Sequence, residues 1–146
     1  DAGNLLGSVW KKTVGVVGGK DDTLNEIEHE IIRKMGDPRI HAAIVCASVS
    51  CPDLRKEAYT KEHLDAQLND QLRRFLANRG KGLQINHKNG RILLSKIFDW
   101  FEDDFEPKGG VLPFLARYAP EPDRSLLKNG DADVSYLDYN WDLNKK

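Results

Sequence analysis

Residues 39–52, RIHAAIVCASVSCP, form the most apolar run of a chain in which 31% of residues are charged. A run with so little polar interruption has to be interior, and whatever surrounds it must be built to cover it. Read as a strand over 40–45, it has two apolar faces and belongs at the centre of its sheet. Ile40, Ala42, Ile44 and Cys46 then share one face, and His41, Ala43 and Val45 the other. The strand ends at Cys46. The small, polar residues 47–52 follow as a loop, a common position for a site at a strand end.

Elements that can cover this strand lie on both sides of it in the sequence. Residues 9–17 read as a strand or hairpin arm closed by Gly18 and Gly19. Thr23-Leu-Asn-Glu26 has the form of a capping box and opens a helix over 23–35, which Gly36 and Asp37-Pro38 stop. At about 100° per residue, Leu24, Ile27, Ile31, Ile32 and Met35 share one arc, with Glu28 inside it and His29 at its rim. A buried Glu28 needs a partner or a proton, and Arg39 or Arg55 would serve as a structural partner. Thr60 caps a helix over 61–78 whose buried stripe is Leu64, Leu68, Leu72, Phe75 and Leu76. Residues 83–94 read as a hairpin turning at Asn89-Gly90. Ser95 caps a helix through 105, with Ile97, Phe98, Phe101 and Phe105 inward and Glu102, Asp103 and Asp104 on a solvated face. Short helices near 111–118 and 122–128 and a strand over 134–139 complete the chain. Helices and strands do not alternate regularly, so the fold class is α+β. It has a small mixed or antiparallel sheet, a central apolar strand at 39–46 and a hairpin at 83–94, packed by several helices.

At 146 residues the chain fits one domain, residues 1–146, with 1–8 loose. A net charge of −1 with both signs dispersed is a poor fit to nucleic acid. No run reaches the ~18 apolar residues needed to cross a bilayer. Two cysteines do not make a disulfide framework in a domain of this size.

The residues that can carry chemistry converge on the apolar run. Cys46 is the expected nucleophile, His29 its base and Glu28 an orienting or buried acid, a Cys-His-Glu set for hydrolysis or acyl transfer. Backbone N–H groups over 47–51 would supply an oxyanion hole. Neighbours on a helix point apart, so Glu28 cannot clamp the ring of His29 directly. Cys51, Ser50 and His41 are secondary candidates, with His41 read mainly as a core histidine. Tyr136 and Tyr139 read as core or pocket wall. The spacing of Cys46, Cys51, His29 and His41 matches no paired zinc knuckle, so neither a metal nor another cofactor is expected. Two alternatives stand beside catalysis. One is a binding or scaffold module with a structural Glu-His-Cys network. The other is thiol redox through Cys46 and Cys51.

Four segments, IEHEIIR (27–33), DPRIHAAIVCASVSCPDLR (37–55), LLSKIFDWFEDDF (93–105) and YLDYNWDLN (136–144), resemble in content and order the domain of unknown function 547, a family of bacterial and plant proteins. The resemblance runs from about Val9 to the end. The family's Glu-His pair corresponds to Glu28 and His29 and its Cys to Cys46, which ranks Cys46 above Cys51. The combination implies chemistry like that of papain-like or transglutaminase-like thiol enzymes. Here His precedes Cys, the reverse of the papain order. The family pattern begins with a Trp-Ile-Asn-Ala-Tyr-Asn type segment that has no counterpart before Val9. The chain is therefore expected to be the C-terminal portion of a larger family domain, with apolar surface exposed near 40–45 and oligomerisation as one way to cover it. The resemblance implies a small-molecule or protein substrate and tilts the location towards the bacterial envelope.

Overall fold

The computed structural model describes residues 9–129 and 132–145. The loose segment expected at 1–8 lies outside them. Helices combine with two small sheets in an α+β fold.

The first sheet is a two-stranded antiparallel hairpin of β1 (Thr13–Val17) and β2 (Lys20–Thr23). Gly18 and Gly19 turn it at φ 60° and 86°, a left-handed backbone that glycine adopts without steric cost. The hairpin feeds directly into the capping box. Thr23 Oγ1 accepts from Glu26 N–H at 3.1 Å, and Glu26 Oε2 accepts from Thr23 N–H at 2.9 Å. The helical segment 24–35 then changes pitch twice. It is α-helical as α1 over Leu24–Glu26, π-helical over Ile27–Ile32 and 3₁₀ over Arg33–Met35, and ends at left-handed Gly36. A π-turn closes from i to i+5, so each residue advances by less than in an α-helix and the expected arc is not preserved. Met35, placed inward by α-periodicity, is 71% exposed.

The central strand expected at 39–46 is not formed. Pro38–Ala42 is a 3₁₀ helix capped by the Asp37 side chain, which accepts from Arg39 N–H at 3.1 Å. Pro38 favours this first turn because its φ is preset and its missing N–H is not needed there. Ile40, His41 and Ala42 are buried, so the interior position of the run was read correctly and its backbone was not. The apolar surface expected at 40–45 lies elsewhere, at residues such as Val14, Val16, Met35 and Leu54.

The core is organised by α2 (Leu64–Ala77), whose Leu68, Leu72, Phe75 and Leu76 are buried while Leu64 is exposed. Its buried Gln67 and Gln71 hold the irregular 53–60 segment through Ala58 C=O at 2.9 Å and Asp53 C=O at 2.7 Å. The second sheet has the order β3 (Leu83–Asn86), β4 (Arg91–Leu94), β5 (Val134–Tyr136). The expected hairpin β3–β4 is antiparallel, and β5 adds in parallel to β4, so the sheet is mixed. The helix expected through 105 is broken into α3 (Ile97–Trp100) and a 3₁₀ turn Glu102–Asp104, with Phe98 and Phe105 in the core. Two short helices, α4 (Val111–Leu115) and α5 (Asp123–Leu127), complete the packing. Among the described residues no helix is long and apolar enough to cross a membrane.

Candidate functional site

Residues 43–52 contain no helix or strand beyond a single bridge of Ser48 to Leu143. The C-terminal tail pins this loop. Val49 N–H donates to Asp142 C=O at 2.8 Å, Asn144 N–H to Ala47 C=O at 2.9 Å, and Asn140 N–H to Ser50 Oγ at 2.9 Å. Ala47 takes φ 62°, a region costly for a residue with a Cβ, and it turns the chain between Cys46 and Ser48.

That turn gathers three polar side chains. Cys46 Sγ lies 3.2 Å from Ser48 Oγ and 3.5 Å from Tyr139 Oη, and Ser48 Oγ donates to Tyr139 Oη at 3.0 Å. The arrangement forms a donor chain, Ser48 to Tyr139 to the Cys46 sulfur. Cys51 is beside it, its Sγ accepting Cys46 N–H at 3.0 Å, and both cysteines are free thiols. The neighbouring Cys51 thiol, then the Ser48 and Tyr139 hydroxyls, pull the Cys46 pKa down to about 5, against the cost of burial. Cys51 moves the other way, first because its proton is held towards Cys46 and then through burial. Burial also pushes the Tyr139 phenol up. Charge is favoured on Cys46 because the Tyr139 hydroxyl, itself accepting from Ser48, can donate to its sulfur and because it is the less buried of the two.

Cys46 opens onto a cavity of about 280 Å³ lined also by Glu28, His41, Cys51, Trp100, Tyr139 and Trp141. Trp100, Tyr139 and Trp141 pack on one another with ring centroids 4.5 to 5.4 Å apart. Glu28 is half-buried, and among the described residues its carboxylate has no hydrogen-bond or ion-pair partner. Arg39 is taken by Asp37 and Asp65, and Arg55 by Asp70. Burial raises the Glu28 pKa above the ordinary carboxylate range. The nearby His29 and Arg33 charges oppose the rise and the Cys46 charge adds to it.

His29 is not among the residues lining this cavity. Its Nδ1 lies 3.0 Å from Arg33 Nη1, one turn along. Arg33 in turn forks onto Asp104, Nε to Oδ2 at 2.8 Å and Nη2 to Oδ1 at 2.9 Å. Asp104 Oδ2 is also 2.7 Å from His41 Nε2. The histidine the structure brings to the cavity is therefore His41, stacked on Phe101 at 4.1 Å and oriented by a carboxylate. Burial lowers the His41 pKa, with Asp104 opposing, so the ring is neutral at pH 7 and its Nε2–H donates to Asp104. Arg33, followed by His41, holds the Asp104 carboxyl below its ordinary range. Asp104 was expected on a solvated face. The break of the helix at Phe101 turns it inward, and the one signal for it in the sequence was the need of a buried His41 for a partner.

Ser50 anchors the tail and does not reach the cavity lining. Ser48 is the hydroxyl at the thiol, and α-, β- or turn-patterning gave no reason to prefer it to Ser50. Among the described residues no group of three or more His, Cys, Asp or Glu is arranged to hold a metal ion.

No curated protein and no solved structure matches the chain. One family profile, described as "Protein of unknown function, DUF547", matches residues 4–76, half of the chain. The matched half holds Glu28, His29, His41, Cys46, Ser48 and Cys51, whereas Asp104, Tyr139 and the two rim tryptophans fall beyond it. The chain belongs to the DUF547 family, proteins of unknown function.

Proposed function

We propose that the protein is a cysteine-dependent acyl-transfer enzyme, a hydrolase or acyl transferase, with Cys46 as nucleophile. The observation that carries the reading is a free Cys46 sulfur at the end of the Ser48–Tyr139 hydroxyl chain, at the wall of a cavity that also presents Glu28. The thiolate attacks an acyl carbon, forming an S–C bond while the bond to the leaving oxygen or nitrogen breaks. Glu28, whose pKa burial raises, serves as the acid that gives a proton to the leaving group. A water or second acceptor then attacks the thioester, its proton passes to the Glu28 carboxylate, and the Cys46 thiolate is released. His41 acts as a positioning residue, fixing Phe101 and the cavity floor from its bond to Asp104.

Iodoacetamide alkylation of Cys46 across pH, read by peptide mass, tests the nucleophile. The expected half-maximal rate lies well below the ordinary thiol value of about 8.5. A profile centred on that value overturns the reading and favours a structural Glu-His-Cys network in a binding module.

A second reading, dithiol redox, is favoured by the contact of Cys46 N–H with Cys51 Sγ. In it the two thiols lose two hydrogens to a disulfide oxidant and form one S–S bond. Intact mass after treatment with oxidised glutathione decides it: a loss of two daltons supports it, and an unchanged mass or a stable glutathione adduct removes it.

A further inference from the structure

We infer that the cavity at Cys46 takes an uncharged, apolar acyl group of medium length, an inference that rests on Cys46 being an acyl-accepting nucleophile. The chain has three tryptophans, and Trp10, Trp100 and Trp141 all line this one cavity. Ile44, Ile97 and Phe101 supply the rest of its apolar wall. Trp100 and Trp141, 45% and 47% exposed, lie at the rim and connect the cavity to solvent.

Charge decides the sign of the ligand. Among the described residues no Lys or Arg lines the cavity, so an anionic group would face the Cys46 thiolate and the Glu28 carboxyl without a counter-charge from them. A cationic group would pair with the Cys46 thiolate and blunt the nucleophile, and the faces of Trp100, Trp141 and Phe101 are already partnered. Trp100 and Trp141 stack on each other at 22°, and Phe101 is covered by His41 and by the Arg33 guanidinium. An aromatic cage for a cation needs open faces around one point, and these rings do not offer them.

Volume sets the length. An apolar cavity of about 150 Å³ holds a benzene molecule, so about 280 Å³ has room for roughly ten carbons. Each methylene buried there should raise kcat/KM by about fourfold until the cavity is full.

The test is a series of p-nitrophenyl esters, acetate through dodecanoate, with the full chain and Cys46→Ala. Two esters of octanoate length ending in a carboxylate or a trimethylammonium group complete the series. The expected result is a Cys46-dependent rise to about eight to ten carbons followed by a plateau, with both charged esters at least tenfold slower than octanoate. A flat or falling series, or a charged ester equal to octanoate, overturns the inference while leaving Cys46 as nucleophile. Binding of 1-octanol to Cys46→Ala, read by tryptophan fluorescence, separates the two ideas. Saturable binding with no ester cleaved by the full chain sustains the cavity assignment and removes the enzyme reading. No octanol binding overturns the cavity assignment itself.

Discussion

Replacing Asp104 by Ala tests the network that positions the cavity floor. Three hydrogen bonds are lost, two from Arg33 and one from His41. Hydrogen bonds to charged groups contribute about 1.5–3 kcal/mol each when buried. The Arg33 fork is not fully buried, its side chain being 27% exposed and that of Asp104 23%, so solvent screening reduces the pair to about 1 kcal/mol. The His41 side chain is 2% exposed, and its N–H would be left unpaired, which costs about 2 kcal/mol. The sum, about 3 kcal/mol, lowers the urea midpoint by about 1.5 M at a slope of roughly 2 kcal/mol per M. Equilibrium unfolding followed by tryptophan fluorescence measures it. A double-mutant cycle with His41→Phe, which keeps the stack on Phe101, should give a larger coupling than one with Arg33→Met. Cys46 alkylation, which Asp104 does not touch, should stay within about twofold, the factor being ~0.4 kcal/mol. A loss below about 0.5 kcal/mol, or a coupling ranked in the opposite order, refutes the reasoning.

Four further outcomes are expected. Stability should fall as pH drops below about 6.5, because the unfolded chain protonates His41 before the folded one does. It should fall again near pH 4 as the unfolded chain protonates Asp104, whose folded value is depressed; urea midpoints from pH 8 to 4 measure both. Gly82→Ala would set a Cβ 1.9 Å from Phe75 C=O and 2.6 Å from its carbonyl carbon, backbone atoms that cannot swing aside, so a loss of about 3 kcal/mol or more is expected in thermal unfolding. Glu28→Gln should leave Cys46 alkylation intact while slowing ester or amide turnover by about 10²-fold or more, measured as kcat. Tyr139→Phe removes a donor to the Cys46 sulfur, so the pH midpoint of alkylation should lie above that of the unsubstituted protein, and an unchanged midpoint would remove Tyr139 from the site.

What the sequence disclosed was local. Thr23 and Glu26 cap each other, Gly36 stops the helix, and the apolar stripe of α2 from Leu68 onward faces inward, joined there by Gln67 and Gln71. The β3–β4 hairpin follows from Asn89-Gly90, and Gly90 has φ 72°. What it concealed has physical reasons. A continuous apolar run has no period, so 40–45 fits a buried strand and a buried 3₁₀ turn equally, and Asp37-Pro38 was the deciding cue. The π-turn at Ile27–Ile32 shifts the phase of His29 against any α-helical wheel. The parallel pairing of β5 with β4 depends on residues some forty positions apart, beyond any local pattern.

The candidate site was half legible for the same reason. Cys46 and Glu28 stand out in the sequence because an apolar strand-like run and an amphipathic arc both point to residues out of character with their surroundings. Asp104 and Ser48 do not, and Tyr139 reads there only as core or pocket wall, because their contacts exist only after folding. A true strand at 40–46 would have fixed Cys46 through ladder hydrogen bonds and aimed Cys51 away by the alternation of faces. The irregular loop does the reverse. It lets the left-handed Ala47 fold the chain back so that Ser48 and Cys51 both reach Cys46. Such a loop has too few internal bonds to hold that shape alone, and the tail supplies them through Asn140, Asp142 and Asn144. The same tail delivers Tyr139 to the sulfur and Trp141 to the rim. The closing YLDYNWDLN is thus joined to RIHAAIVCASVSCP by the geometry of one thiol, and neither stretch has its chemical meaning without the other.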